Sequence, residues 1–195
     1  MKPKLLFVVL CLSIVAGAAS YLSILSGDQA PKKDIKASYL KGGDFSLSNG
    51  GDTFRLEGLR GRPVILYFGF TFCPDICPVG LAVIRDALNA DDAFSDLSAL
   101  FVTLDPERDD ATRMGEYVSF FHTSIIGLTG TLEEISTVAT QYGTYFQKTK
   151  ADADGAYSVD HTAYFYLIDE AGELVRVLDH NTPPEVLASE LKKLI

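Results

Sequence analysis

Two cysteines four residues apart are the first groups in this chain whose type and spacing can do chemistry. They lie in Phe72-Cys73-Pro74-Asp75-Ile76-Cys77-Pro78. The segment follows the apolar run Pro63 to Phe70, which reads as a strand buried on both faces. A helix is predicted after it, from about Pro78 to Asn89, because proline belongs in a first helical turn and not in an interior. A strand-to-helix elbow is where α/β folds place ligands, at the carboxyl ends of strands. Cysteines four apart face the same way over one turn. Both sulfurs then sit at or just before a helix N-terminus, whose partial positive charge favours thiolate. Thiolate attacks disulfides and binds soft metals. Two buried core cysteines, or a static disulfide, compete with that reading. A bridge across so short a loop constrains the unfolded chain little, and a proline after each cysteine is unusual for a plain core position.

The histidines are His122, His161 and His180. His161, in Val159-Asp160-His161-Thr162, stands at the entry of the predicted buried strand Ala163 to Ile168. Taken alone it reads as an ordinary loop histidine. His122 and His180 fall near predicted element ends and carry no signal.

The elements that must position these groups follow from patterning. Thr53 to Leu56 is a short strand after the turn-rich Asn49-Gly50-Gly51-Asp52. Leu97 to Leu104 is a second buried strand, and Asp109 to Phe121 a helix with acidic residues at its start. Thr131 and Glu134 have capping-box spacing, and Ile135, Val138, Ala139 and Tyr142 recur at helical intervals, so the spacing predicts a helix over 131–142. Thr144 to Lys148 and Tyr157 to Val159 form the two arms of a hairpin around Asp154-Gly155. Ala163 to Ile168 and Leu174 to Leu178 are strands joined by a turn at Gly172. Thr182, Pro183 and Glu185 open a last helix, with a second capping-box spacing and proline at its first position. This order predicts the α/β class: a mixed central sheet with helices on both faces, thioredoxin-like in topology. Strands joined through a helix are parallel, and the terminal hairpin is antiparallel.

Composition bounds the function. The chain has 195 residues, with 26 acidic against 17 basic side chains and a net charge of -9. That balance excludes a nucleic-acid binder, which needs basic patches, and a polybasic membrane-surface protein. Three cysteines are too few for a disulfide-built scaffold. Leu5 to Leu25 carries no charge and follows Lys2 and Lys4. Residues 1–27 therefore read as a membrane anchor with the lysines in the cytoplasm. The alternative is a signal segment cut near Ala16-Gly17-Ala18. Cys11 belongs to this leader. Residues 28–38 read as a polar linker and 39–195 as the globular domain. The charged start abuts the apolar run and leaves no room for a transit segment. The expected location is therefore a bacterial inner membrane, single-pass, with the domain in the periplasm.

Four motifs, in order, carry a resemblance. They are Tyr67-Phe-Gly-Phe-Thr-Phe-Cys73-Pro-Asp-Ile-Cys77-Pro, Thr103-Leu-Asp-Pro-Glu-Arg-Asp109, Gly127-Leu-Thr-Gly-Thr131 and Asp160-His161. Together they resemble the Sco/SenC family over about 39–195. Members of that family are membrane-anchored, thioredoxin-fold proteins that help metallate the dinuclear copper (CuA) site of cytochrome c oxidase. The resemblance implies that Cys73, Cys77 and His161 bind copper, as Cu(I) and also as Cu(II). It implies the copper-bearing oxidase subunit as partner, alongside other copper carriers. Val79-Gly80 departs from the family, where threonine or another small polar residue is expected.

The donor types agree with copper. Two thiolates select soft cations, and imidazole suits copper or zinc. Structural zinc normally takes a fourth protein ligand, and no fourth cysteine or histidine is evident. A histidine ligand needs its other ring nitrogen held by an acceptor. Asp160 points to the opposite face of an extended chain. Asp105 is the better-placed partner, with a turn cap before Pro106 as its competing role. Arg108 and Asp109 are expected to fix their loop, Asp75 to be solvated or bonded to local backbone, and Tyr67, Phe68, Phe70 and Phe72 to pack core and rim. The competing function is a thiol-disulfide oxidoreductase using Cys73 and Cys77 as a redox pair. Against a general dithiol reductase, three residues separate the cysteines, and no proline occurs between Pro106 and Pro183 to face them. A peroxidase of related fold fits less well, because cysteines this close make an odd peroxidatic and resolving pair.

Overall fold

Two short strands, β1 (Ser46–Ser48) and β2 (Thr53–Arg55), pair antiparallel ahead of the main sheet. The apolar run then becomes β3 (Val64–Gly69), buried at every residue. Next come α1 (Ile76–Leu88), β4 (Ser98–Thr103), α2 (Ala111–Ser119), β5 (Ile125–Leu128) and α3 (Leu132–Gln141). A two-stranded arm follows, β6 (Phe146–Lys148) with β7 (Val159–His161). The chain closes with β8 (Tyr164–Ile168), β9 (Leu174–Asp179) and α4 (Pro184–Leu191). This computed structural model describes residues 40–51 and 53–195. The expected anchor at 1–27 and linker at 28–38 lie outside those residues. Among the described residues no helix is long and apolar enough to cross a membrane.

The sheet order is β5-β4-β3-β8-β9. Strands β3, β4 and β5 run parallel, while β8 and β9 are antiparallel to their neighbours. The expected mixed sheet is therefore present, and alternation along β3 shows how both faces are covered. Tyr67 pairs in register with Phe101 of β4 and stacks on it, and Phe101 meets the tilted ring of Tyr117 of α2. Gly80 of α1 packs on the same Tyr67 ring. The next residue, Phe68, points the other way, toward Tyr142 at the end of α3 and Tyr166 of β8. Burying each of these large side chains contributes about 1.5–3 kcal/mol.

Several boundaries differ from expectation, for identifiable reasons. Helix α1 starts at Ile76, so Pro78 is its third residue. That position tolerates proline because first-turn N–H groups have no helical partner anyway. The capping box of α3 forms as predicted: Glu134 N–H donates to Thr131 Oγ1 at 3.2 Å, and Thr131 N–H to Glu134 Oε2 at 2.7 Å. The second box, at Thr182 and Glu185, does not form. Pro183 itself is the N-cap and Pro184 the first helical residue, with no side-chain cap bond. Strand β5 had no sequence counterpart, being only four residues long. It lies under α2, where Gly127 is needed: a Cβ there would come within 2.8 Å of Met114 backbone.

Candidate metal centre

The dithiol elbow is built downward from a buried carboxylate. Asp109 is wholly buried, and its Oδ2 accepts from Thr71 N–H at 2.9 Å and Thr103 Oγ1 at 2.7 Å. Its Oδ1 accepts from Thr71 Oγ1 at 2.5 Å, and its backbone carbonyl from Thr129 Oγ1 at 2.7 Å. One residue thus ties the ends of β3, β4 and β5 together. Bonds to an ionised acceptor are roughly twice as strong as neutral ones. Beyond Thr71 the chain turns, with Cys73 N–H donating to the Phe70 carbonyl at 3.2 Å.

Helix α1 then begins without a side-chain cap from Asp75. A sulfur takes that place: Cys77 N–H donates to Cys73 Sγ at 3.4 Å. Neither cysteine is in a disulfide, and Cys73 is 9% exposed and Cys77 0%. They titrate apart. The hydrogen bond from Cys77 and the backbone N–H groups of Asp75 and Cys77 bring Cys73 down to about 5, against the opposing effect of burial. Cys77 is driven far up, because its thiol donates a hydrogen bond to Cys73, is buried, and faces the Cys73 charge. The metal-free pair is one thiolate and one thiol.

Two glycines make room for this arrangement. A Cβ on Gly69 would sit 2.7 Å from Cys77 Sγ and 2.7 Å from the Phe101 ring. A Cβ on Gly80 would sit 2.4 Å from the Tyr67 hydroxyl. That hydroxyl donates to the Ile76 carbonyl at 3.1 Å, and burial keeps it protonated well above the ordinary phenol range. The departure at Val79-Gly80 thus has a physical account: Gly80 packs on Tyr67, and Val79 faces solvent.

His161 lies in β7, opposite Phe146 of β6. Its Nε2 is 3.7 Å from Cys77 Sγ, and its ring meets Phe70 edge-on at 5.8 Å. Its Nδ1 is 3.1 Å from the Val159 carbonyl. A carbonyl only accepts, so Nδ1 carries a proton, and Nε2 is the ring nitrogen that faces the sulfur. This corrects the expectation for Asp105, which does not hold the ring. Its carboxylate pairs with Arg108 and accepts from the Tyr157 hydroxyl at 2.9 Å. The strand's own backbone supplies the acceptor two residues upstream of His161, a bond that no side-chain pattern encodes. Sequence reading also passed over Tyr157, whose one visible signal is its place four residues before His161.

The donor set suits a soft metal ion. With sulfur and imidazole bonds of about 2.3 and 2.0 Å, as for zinc, a 3.7 Å separation matches a ligand–metal–ligand angle of roughly 115–120°. Among the described residues no three His, Cys, Asp or Glu side chains already surround one point. Cys73 Sγ is turned to the helix N–H. Phe72 and Val79 are exposed beside the elbow.

A family model described as SCO1/SenC matches residues 33–195. The chain belongs to the SCO1/SenC family. The SCO2-like protein of Rickettsia felis is 30% identical over 202 residues, covering 98% of this chain and 98% of that protein. The mitochondrial SCO1 homolog 1 of Arabidopsis thaliana is 39% identical over 177 residues, covering 89% of this chain and 51% of the relative. This chain therefore spans about half the length of that mitochondrial relative. The crystal structure of A. thaliana ScoI with copper bound superposes with a TM-score of 0.73 at 38% identity, covering 78% of this chain and 96% of that one. The thioredoxin-like α/β fold is the fold of this SCO1/SenC relative, and that relative was solved with copper.

Proposed function

We propose that this SCO1/SenC protein is a metallochaperone that binds copper through Cys73, Cys77 and His161. It delivers the ion to the dinuclear copper site in the copper-bearing subunit of cytochrome c oxidase during assembly. The observation that carries the reading is the juxtaposition of His161 Nε2 and Cys77 Sγ at 3.7 Å, beside a second cysteine at a helix N-terminus. Copper is cargo here, and the protein's own groups manage its arrival and departure. The Cys73 thiolate is the ready donor. Cys77 must release its proton to join, so binding releases a proton. The Nδ1 bond to the Val159 carbonyl leaves His161 Nε2 as the nitrogen turned to the sulfur. Two thiolates and one imidazole leave an open side on which an acceptor's ligand can enter before a donor leaves. Residues 1–27 are assigned to an inner-membrane anchor and 28–38 to a linker, with 39–195 as the copper domain in the periplasm.

One observation favours a second reading, a thiol-disulfide oxidoreductase acting on the cysteines of that oxidase site or of another exported partner. Cys73 is held as thiolate at neutral pH while Cys77 keeps its proton, the division of roles of an attacking and a resolving thiol. The deciding experiment is elemental analysis of the full chain after copper loading. Near-stoichiometric copper is expected, falling sharply in Cys73→Ser, Cys77→Ser and His161→Ala. Full copper in His161→Ala, with disulfide reductase activity retained, would overturn delivery in favour of the redox reading.

A further inference from the structure

His161 does not stand on the main sheet. It ends β7, which pairs only with β6 in a separate two-stranded arm. Something must hold that arm over the dithiol. We infer that Tyr157 is a positioning residue for His161, latched to the core by Arg108 and Asp105. The inference rests on the proposed role of His161 as a copper ligand.

Four contacts converge on Tyr157, two residues before β7. Its hydroxyl donates to Asp105 Oδ1 at 2.9 Å. Its backbone carbonyl accepts from Arg108 Nη1 at 3.1 Å. The Arg108 guanidinium lies 3.7 Å from its ring centroid and the Lys148 ammonium 3.8 Å, so the ring is gripped by two cations. Lys148 is itself held by Glu107 at 2.7 Å. Arg108 Nη2 is buried without a hydrogen bond, and aromatic faces compensate it: Phe72 lies at 4.6 Å and Phe70 at 6.0 Å from the same guanidinium. Phe70 is the ring against which His161 packs.

The economy lies in the loop from Asp105 to Asp109. Asp109 grips Thr71, on the cysteine side of the site. Its neighbour Arg108, with Asp105, grips Tyr157, on the histidine side. One short loop after β4 therefore sets the separation of sulfur and nitrogen donors that come from opposite ends of the domain sequence. Tyr157 acts only through this spacing and touches no ligand atom itself.

The test is a Cu(I) competition titration of the full chain against a chromophoric chelator. Tyr157→Leu should weaken Cu(I) binding about tenfold, the low end for loss of a group supporting a ligand. Tyr157→Phe keeps the ring between the cations and should recover part of that loss. The thermal midpoint and the reduction potential of the Cys73–Cys77 couple should stay at wild-type values. The ring-nitrogen NMR resonances of His161 in the metal-free protein should shift. In a His161→Ala background, Tyr157→Leu should add nothing, because the latch then has no ligand to place. Wild-type affinity in Tyr157→Leu, or an equal loss in the His161→Ala background, overturns the latch and leaves the copper reading intact. Wild-type affinity in His161→Ala alone removes the ligand assignment, and the latch falls with it.

Discussion

The elbow that carries Cys73 and Cys77 and the arm that carries His161 are built on different principles. The elbow is an extension of the core: Cys77 is wholly enclosed, and the loop before it hangs from the buried Asp109. The arm is two three-residue strands outside the main sheet, joined to each other by an exposed loop at 150–156. Two short strands are not stable by themselves, so the arm owes its place to the contacts made by Tyr157 with Asp105 and Arg108. The cysteine side is thus placed by packing, and the histidine by a few polar and cation–aromatic contacts. Elements held by few buried contacts are the ones that open locally. The side of the site that can yield is therefore the histidine side.

That contrast can be broken most forcefully at Asp109. Asp109→Ala leaves the N–H and hydroxyl of Thr71 and the hydroxyl of Thr103 without their acceptor. It is expected to cost about 3 kcal/mol or more in urea unfolding, because each buried donor left unpaired costs about 1–3 kcal/mol. Next comes Gly69→Ala. Its methyl would press on Cys77 Sγ and the Phe101 ring, with a cost of about 1–3 kcal/mol and weaker Cu(I) binding in the same competition titration.

A chemical probe sharpens the comparison within the elbow. Iodoacetamide at pH 6, followed by peptide mapping, should label Cys73 first, since it is a thiolate down to about pH 5 and the more exposed of the pair. Its labelling should fade as pH falls through about 5, as the thiolate takes up a proton. Cys77, enclosed and proton-bearing, should stay unlabelled until the fold opens. Faster labelling of Cys77 would reverse the assignment of roles. The smallest effect is expected at the arm's far end. Asp154→Ala, on the exposed tip, should change stability by no more than about 0.5 kcal/mol and leave copper affinity alone.

How much of this was legible in the sequence depended on range. The pair Thr131 and Glu134 specifies a local structure and forms it. The same spacing at Thr182 and Glu185 fails because two successive prolines move the helix start one residue on. The cysteine elbow was legible because an apolar strand, two prolines and a helix bracket it. The mixed sheet followed from element order, yet β5 escaped, too short to show a period. Asp105 was correctly placed near the site but assigned to the wrong neighbour. From sequence its alternatives were a bond to His161 or a turn cap before Pro106, and only the fold brings Tyr157 to its carboxylate. Gly80 looked like a departure from family pattern until Tyr67 was seen to occupy the space a side chain would need.

The sulfur that stands in for a helix cap has a consequence for observation. Cys73 Sγ accepts the first-turn N–H of Cys77, so whatever claims that sulfur, whether an ion, a partner thiol or an alkylating agent, must alter the bond to that amide. The backbone N–H of Cys77 is therefore a built-in gauge of the site. Its chemical shift and solvent-exchange rate should register metal binding and oxidation, without any label added to the protein.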